Sequence, residues 1–211
     1  MKKIILNLTG IVALLFISCD TESTANLSSI TNYAVINIIG DTEVIINQGD
    51  NWTDPGADVV LAGAAFPYET SLVVDTNTAG VYYIDYSAIN DEGFAANARR
   101  TVVVVSTAAS IYNLEGSWAR SNGSPGICTQ ISDRYYTYDN AGGVAGENQL
   151  TITFINVNDD EIYIPFKADA SPSGLSVSSF APGEIQDNDN WSWSLNASGF
   201  YGTFTRTFSR Q

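Results

Sequence analysis

The sequence predicts an all-β protein, with a β-sandwich followed by an antiparallel β-meander or a small closed barrel. Valine, isoleucine, threonine and aromatic residues, which favour strands, are plentiful, and only 15% of the residues are charged. Short apolar runs alternate with turns rich in glycine, proline, asparagine and aspartate. No stretch shows the 3.6-residue periodicity of an amphipathic helix. This composition is typical of folded domains and not of disorder.

Residues 1–18 are predicted to be a lipoprotein signal peptide. Lys2 and Lys3 precede an apolar run over residues 4–17, which is shorter than the roughly 20 residues of a membrane-spanning helix. Ser18 and Cys19, after bulky apolar residues, resemble a bacterial lipobox. The resemblance implies that Cys19 is acylated, becomes the first mature residue and holds the protein stably at a membrane. The alternative is an ordinary signal peptide with an incidental cysteine.

Residues 19–32 are predicted to form a flexible acidic stalk, because residues 20–26 are small, polar and acidic. Acidic segments after the cysteine resemble the surface-export signal of Bacteroidetes lipoproteins. That resemblance implies a protein anchored in the outer membrane and facing the cell exterior. In enteric bacteria, an acidic residue at this position instead means retention at the inner membrane.

The charge excludes one class of partner. Loss of residues 1–18 removes two of the nine Lys/Arg and none of the 23 Asp/Glu, which leaves seven basic residues and a formal charge of −16. Such a chain has no basic footprint for nucleic acid, and an anionic lipid surface repels it. We therefore expect no nucleic-acid partner and contact with the membrane only through the lipid.

The reactive residues exclude most catalytic arrangements. The chain contains no histidine, which excludes Ser-His-Asp and Cys-His catalysis and His-ligated zinc. Once Cys19 carries lipid, Cys128 has no disulfide partner and is predicted to be a buried structural thiol. We expect no enzymatic activity and no cofactor.

Residues 33–106 are predicted to form the β-sandwich. Tyr82, Ile84, Tyr86 and Ala88 alternate along one strand and therefore share a face that we expect to be core. The predicted strands are 34–39, 43–46, 72–74, 81–89 and 101–105.

Four segments of this half carry a family resemblance. They are 52–57 (WTDPGA), 74–82 (VDTNTAGVY), 86–93 (YSAINDEG) and 100–104 (RTVVV). They resemble the bacterial surface Ig-like domain, which also occurs in an insecticidal crystal protein. The resemblance implies an Ig-like β-sandwich that serves as a spacer or adhesion module without chemistry of its own. Asn90 and Phe94 depart from the family pattern, which argues against a cation at that hairpin.

Residues 107–110 are interpreted as a linker, and 111–211 as a β-rich C-terminal domain. Predicted turns, including one at Pro182-Gly183, separate its strands. Neighbouring strands joined by short turns favour an up-and-down meander, either open or closed. The predicted strands are 117–121, 128–132, 135–138, 149–155, 161–167, 174–179, 191–195 and 201–208.

The segment 114–118 (LEGSW) resembles the opening of lipocalin-like barrels. Together with the Ig-like segment and the lipobox, this half is similar in layout to the C-terminal domain of lipoproteins from Bacteroidetes glycan-utilisation loci. The resemblance implies a glycan as ligand and an outer-membrane uptake complex as partner.

Aromatic residues are the candidate binding residues, since a sugar stacks its C–H face on an aromatic ring. The alternative is that these rings pack in the core, which we expect for Trp193. At Tyr136 and Tyr138, cross-strand packing is the alternative to ligand binding. The candidates are Trp118, Tyr136, Tyr138, Trp191 and Tyr201.

Acidic residues are concentrated in two turns. Asp159 with Asp160, and Asp187 with Asp189, offer the oxygen ligands that calcium prefers, but neither turn has the glycine and terminal glutamate of an EF-hand loop. A glycosidase would need two acids held across a scissile bond. Solvated turn residues are the ordinary interpretation, so no metal is expected.

The sequence thus favours a non-catalytic, lipid-anchored cell-surface protein that binds glycan as an accessory to outer-membrane polysaccharide uptake. The alternative is a structural or adhesion lipoprotein that binds another protein. A small hydrolase is the third hypothesis.

Overall fold

The computed structural model describes residues 30–197 and 199–211; the predicted signal peptide, Cys19 and most of the predicted stalk lie outside these residues. The described chain forms fifteen strands and one 3-10 turn, Gly146–Asn148. The predicted all-β class is therefore confirmed. Within these residues no helix has the length and apolar character needed to cross a bilayer.

The first seven strands form a sandwich of two sheets. One sheet has the order β1-β3-β4, and the other has the order β2-β7-β6-β5. Strands β2 and β7 run parallel, whereas the other neighbours are antiparallel. The strands are β1 (Val35–Ile38), β2 (Glu43–Asn47), β3 (Ala57–Leu61), β4 (Ala64–Ala65), β5 (Glu69–Thr70), β6 (Gly80–Ile89) and β7 (Ala95–Val105).

The sandwich core contains the face predicted from alternation along β6. Ile84, Tyr86 and Ala88 are buried there, and Tyr82 packs against the cluster. Buried Arg100 ties this core to the WTDPGA segment, because its Nε lies 3.2 Å from a carboxylate oxygen of Asp54 and also donates to Tyr86 Oη. Tyr86 Oη in turn donates to Asp54 at 2.7 Å.

The last eight strands close into a barrel. Each strand pairs antiparallel with the next, and the last pairs with the first of the eight, so the meander is closed and not open. The strands are β8 (Gly116–Arg120), β9 (Pro125–Ser132), β10 (Tyr135–Tyr138), β11 (Ile152–Asn156), β12 (Glu161–Tyr163), β13 (Ser178–Ile185), β14 (Asn190–Asn196) and β15 (Arg206–Arg210).

The predicted turn at Pro182-Gly183 is wrong, because both residues lie inside β13. The register of β13 against β14 shifts between Ala181 and Glu184, and such a bulge tolerates proline. Gly183 is required by a close approach: a Cβ there would lie 2.4 Å from the Ser192 carbonyl oxygen. The predicted strand 201–208 is also shorter than expected and begins only at Arg206.

Successive connections of an up-and-down barrel alternate between its two ends. The connections β8–β9, β10–β11, β12–β13 and β14–β15 therefore share one end. We call residues 121–124, 139–151, 164–177 and 199–205 the distal end. The connections β9–β10 and β11–β12 lie at the opposite end, where they meet the residues that follow β7.

The sandwich and the barrel share an apolar cluster, the junction, formed by Val103, Val105, Ile155, Val157 and Tyr163. Tyr163 Oη donates a 2.5 Å hydrogen bond to the Glu43 carboxylate across it. The connecting segment is held as well, because the Ser106 N–H donates to the Val157 carbonyl and Arg134 donates to the Ala108 carbonyl.

Candidate functional site

The five predicted aromatic binding residues are all buried in the barrel. They therefore do not present open ring faces to a sugar, as the sequence interpretation required. The physical reason is that alternate positions of every strand in a closed barrel point inward, and large rings are what fills the interior. All five belong to the same core cluster as Trp193.

Trp191 lies at the centre of this cluster. Its ring centroid is 4.5 Å from that of Trp193 and 4.8 Å from that of Phe154. Trp118, Tyr138 and Phe208 surround it at 5.0–5.5 Å. Because these rings occupy the barrel interior, a ligand has to bind on the outer surface or at the ends.

Asp159, a candidate calcium ligand, is engaged by protein groups. The guanidinium of buried Arg134 lies 3.2 Å from its carboxylate, and Ser110 Oγ and Asn156 Nδ2 donate to it at 2.7 and 2.9 Å. Burial alone raises the pKa of Asp159, but these hydrogen bonds together outweigh burial and hold the pKa below its ordinary value of 3.8. Asp159 thus pairs with the Arg134 guanidinium, in the place of the calcium ion for which it was a candidate ligand.

The other acidic candidates do not converge. Asp187 accepts the Asp189 backbone N–H at 2.7 Å, Asp189 pairs with Arg210 at 3.1 Å, and Asp160 is exposed. In the described part of the chain no three or more cysteine or acidic side chains group together as a metal site would require.

Cys128 is buried in the barrel core, as the sequence predicts for a structural thiol. Burial raises its pKa far above the ordinary thiol value. The neutral thiol is not a nucleophile.

Exposed phenylalanines at the distal end are candidate binding residues that the sequence pattern did not single out. Phe200 and Phe204 are both more than half exposed. They lie in the connection between β14 and β15, in the segment GFYGTF. The sequence analysis interpreted residues 201–208 as a strand and therefore did not identify this connection. The two glycines of this segment were the available signal, since they indicate a turn and not a strand.

Phe204 stands beside two arginines. The guanidinium carbon of Arg206 lies 4.3 Å from the Phe204 ring centroid, and that of Arg120 lies 5.3 Å from it. Tyr201, the fifth aromatic candidate, borders the same place: Arg206 lies 5.6 Å from its ring, and its ring contacts Phe200. We call Arg120, Phe200, Tyr201, Phe204 and Arg206 the distal cluster.

Backbone carbonyls hold both guanidinium groups. Arg206 donates to the carbonyls of Gly202 at 2.8 Å and Phe204 at 3.1 Å. Arg120 donates to the Gly142 carbonyl at 2.9 Å, and a Cβ at Gly143 would lie 2.6 Å from its Cδ. The arginines are therefore packed in place against the distal connections.

The distal cluster has positive charge without a balancing acid. Each ion pair found in the described residues uses Arg99, Arg100, Arg134 or Arg210. The Nε atoms of Arg120 and Arg206 are buried without a hydrogen-bond partner, which costs about 1–3 kcal/mol for such a group. Burial, and then the charge of Arg120, lower the pKa of Arg206 to about 10, so Arg206 stays charged at neutral pH.

Residues 36–104 match the family model described as "Bacterial surface protein, Ig-like domain". This segment is a bacterial surface Ig-like domain. The resemblance carried by the WTDPGA, VDTNTAGVY, YSAINDEG and RTVVV segments is thereby confirmed. The match ends before the barrel, so the distal cluster lies outside the surface Ig-like domain.

Among solved structures, the lipoprotein BT2262 from Bacteroides thetaiotaomicron is similar to this chain. The likeness has a TM-score of 0.38 and 20% sequence identity, and it covers 84% of this chain and 100% of that one. No curated protein matches the sequence. The surface Ig-like domain is therefore the segment for which a family is found, and the barrel has to be interpreted from its own residues.

Proposed function

We propose that the protein is a lipid-anchored outer-membrane protein that faces the cell exterior and binds glycan as a non-catalytic accessory to polysaccharide uptake. Cys19 is the anchor, on the basis of its resemblance to a lipobox cysteine. The surface Ig-like domain is the spacer between the anchor and the barrel. The barrel carries the binding site at its distal end.

The exposed Phe204 ring is the observation that carries this proposal. Its side chain is 56% exposed, although two arginines flank it. An exposed ring offers a flat apolar face on which the C–H groups of a sugar can stack, and the partly exposed guanidinium of Arg120 beside it can donate hydrogen bonds to the sugar. Phe200 adds a second exposed ring to the same surface.

The remaining chemistry favours binding over catalysis. Hydrolysis of a glycosidic bond needs two carboxyl groups across the bond. At the distal cluster the charged side chains are arginines, and Asp159 is committed to Arg134 elsewhere in the barrel. The site can hold and orient a ligand but has no evident proton donor or nucleophile.

Affinity gel electrophoresis of the full-length protein tests this proposal. We expect polysaccharide in the gel to retard the wild type and to retard Phe204→Ala at least tenfold less, because the variant loses a stacking face. Phe94→Ala is the matched control, since Phe94 is an exposed phenylalanine on the surface Ig-like domain. Equal retardation of the wild type and Phe204→Ala would remove the distal cluster from the proposal, and no retardation by any polysaccharide would overturn it.

The anchor has its own test. Mass spectrometry of the mature protein should find an acylated Cys19 at the N-terminus, and Cys19→Ser should release the protein from the membrane fraction. A mature product that lacks Cys19, or carries it unmodified, would contradict the proposed location.

An adhesion function is the second candidate, and one surface favours it. Ile127 and Ile131 are exposed on the outer face of β9, and Ile127 also lines a groove of about 410 Å³ together with Pro125 and Ala145. Exposed apolar surface of this kind is typical of protein contacts. Crosslinking on intact cells should then yield a protein adduct that Ile131→Glu abolishes, whereas loss of that adduct in Phe204→Ala would place the contact at the distal end.

A further inference from the structure

The distal cluster is unusual within the charge distribution of this chain. The sequence has six arginines and 23 acidic residues, so acidic partners are abundant. Four arginines are paired with aspartates in the described structure, and the two that are not so paired, Arg120 and Arg206, lie together. Two adjacent cations repel each other, and an anion between or beside them removes that repulsion.

The arginines are also held as a binding site requires. Arg206 is 1% exposed and is fixed by the carbonyls of the β14–β15 connection, so it contributes its charge from below the surface. Arg120 is partly exposed and therefore can reach a ligand directly. Because Gly143 carries no side chain, Arg120 packs on its backbone and donates to the Gly142 carbonyl, so little reorganisation is needed when a ligand binds.

We propose that the distal cluster binds an anionic sugar residue, one that carries a carboxylate or a sulfate group. The anion is held by Arg120 with the buried charge of Arg206 behind it, and the sugar ring stacks on Phe204. A guanidinium presents two parallel N–H donors that match the two oxygens of a carboxylate or a sulfate. A neutral sugar hydroxyl does not need such a pair of donors. This inference rests on the proposed function and names the class of glycan.

An exposed ring beside the cations favours a sugar over a free inorganic anion, which would make no use of Phe204. The overall charge argues in the same direction. A chain with a formal charge of −16 after loss of residues 1–18 repels polyanions over most of its surface. Retention of an acidic polysaccharide by this protein therefore requires a local site and does not follow from general charge attraction.

Matched pairs of polysaccharides provide the test. Full-length protein is run in affinity gels that contain polygalacturonate or its methyl ester, and dextran sulfate or dextran, at an ionic strength near 0.15 M, where the Debye length is about 8 Å. We expect the acidic member of at least one pair to retard the wild type at least tenfold more than the neutral member. The pair that responds distinguishes a carboxylate from a sulfate.

Substitutions locate the effect. Arg120→Gln should lose at least about tenfold in retardation by the acidic polysaccharide, and Arg120→Lys should lose less, because it keeps the charge but not the two parallel donors. Arg99→Gln is the matched control, since it removes the same charge from an exposed site on the surface Ig-like domain and should change nothing. Urea unfolding of each variant verifies that the barrel is intact.

The outcomes separate the two proposals. The anionic class is overturned if both members of each pair retard the protein equally, and if Phe204→Ala abolishes this retardation while Arg120→Gln leaves it unchanged. That result leaves the proposal of glycan binding intact. The anionic class is also overturned if millimolar inorganic sulfate or phosphate inhibits retardation as effectively as the free acidic sugar does, because the Phe204 ring then contributes nothing. Absence of retardation by all four polysaccharides overturns both proposals.

Discussion

At the scale of single residues, burial decides which side chains can act on a ligand. Trp191 and Phe204 are both aromatic, yet Trp191 is enclosed by five other rings, whereas Phe204 stands in solvent beside two arginines. A buried ring stabilises the fold, and an exposed one is available for recognition. The same substitution to alanine should therefore have opposite consequences at the two positions.

Trp191→Ala should lower the free energy of unfolding by about 3–5 kcal/mol, because it leaves a large cavity among the surrounding rings. Urea denaturation followed by circular dichroism measures the change. Phe204→Ala is the control and should lower the free energy of unfolding by less than about 1.5 kcal/mol, the loss of exposed ring contacts. A Trp191→Ala protein as stable as the wild type would contradict the described barrel core.

Asp159 makes the free energy of unfolding depend on pH in the acidic range. Its pKa is lower in the folded protein than its ordinary value of 3.8, so its contribution is present above about pH 4 and is lost as the pH falls through the lowered pKa. Asp159→Asn should cost about 3 kcal/mol at pH 7, because it leaves Arg134 buried and unpaired, and should flatten the loss of stability below pH 4. Urea unfolding between pH 7 and pH 3 tests this. Asp160→Asn at the neighbouring exposed position is the matched control and should change the free energy of unfolding at pH 7 by less than about 0.5 kcal/mol.

At the scale of elements, the strand pattern of the barrel could be predicted, but not every strand end. Alternation of apolar and polar residues indicated β10 and β14 nearly as they are, since a side chain every second residue enters the core. Pro182 and Gly183 carry the local signal of a turn; the bulge of β13 against β14 accommodates Pro182, and the close contact with β14 requires Gly183. That contact is between residues distant in sequence, which a local pattern does not contain.

Gly183→Ala should destabilise the barrel by about 1–3 kcal/mol, because the added methyl group would lie 2.4 Å from the Ser192 carbonyl oxygen and backbone would have to move. Thermal unfolding compares it with Glu184→Ala, an exposed position on the same strand. If both variants unfold like the wild type, β13 does not approach β14 as described.

The candidate site was accessible to sequence reasoning only in part. Sequence reasoning chose aromatic residues as candidates, and one of them, Tyr201, is part of the distal cluster. The tryptophans and the paired tyrosines lie deeper in the core, because barrel closure turned them inward. Closure also brings Arg120 of β8 beside Arg206 of β15, and no spacing in the sequence reveals that neighbourhood.

At the scale of the whole molecule, the junction makes the surface Ig-like domain and the barrel pack directly against each other. Its apolar residues come from both halves, and hydrogen bonds from Ser106 and Arg134 hold the connecting segment. The β12–β13 connection of the distal end contacts the sandwich, since the Phe166 N–H donates to the Glu43 carboxylate at 3.0 Å, whereas the side-chain hydrogen bonds of the distal cluster stay within the barrel. Under the proposed function, this packing is what would hold the barrel in a fixed orientation on its spacer.

Val157→Asp should open the junction, because it places an unpaired charge in a buried apolar cluster. Limited proteolysis should then cut within residues 106–110, which we expect to resist cleavage in the wild type because hydrogen bonds hold them. Ile131→Asp adds the same charge at an exposed position of β9 and should not increase cleavage. Equal resistance of Val157→Asp and the wild type would show that the junction does not protect the connecting segment.

Hydrogen–deuterium exchange with and without polygalacturonate tests the central claim most directly, since it locates the binding surface without any substitution. We expect slower exchange in residues 199–206 and 119–124, which contain the distal cluster and its neighbours, and unchanged exchange in the surface Ig-like domain. Protection confined to residues 36–104 or to the outer face of β9, with none at the distal end, would contradict the account.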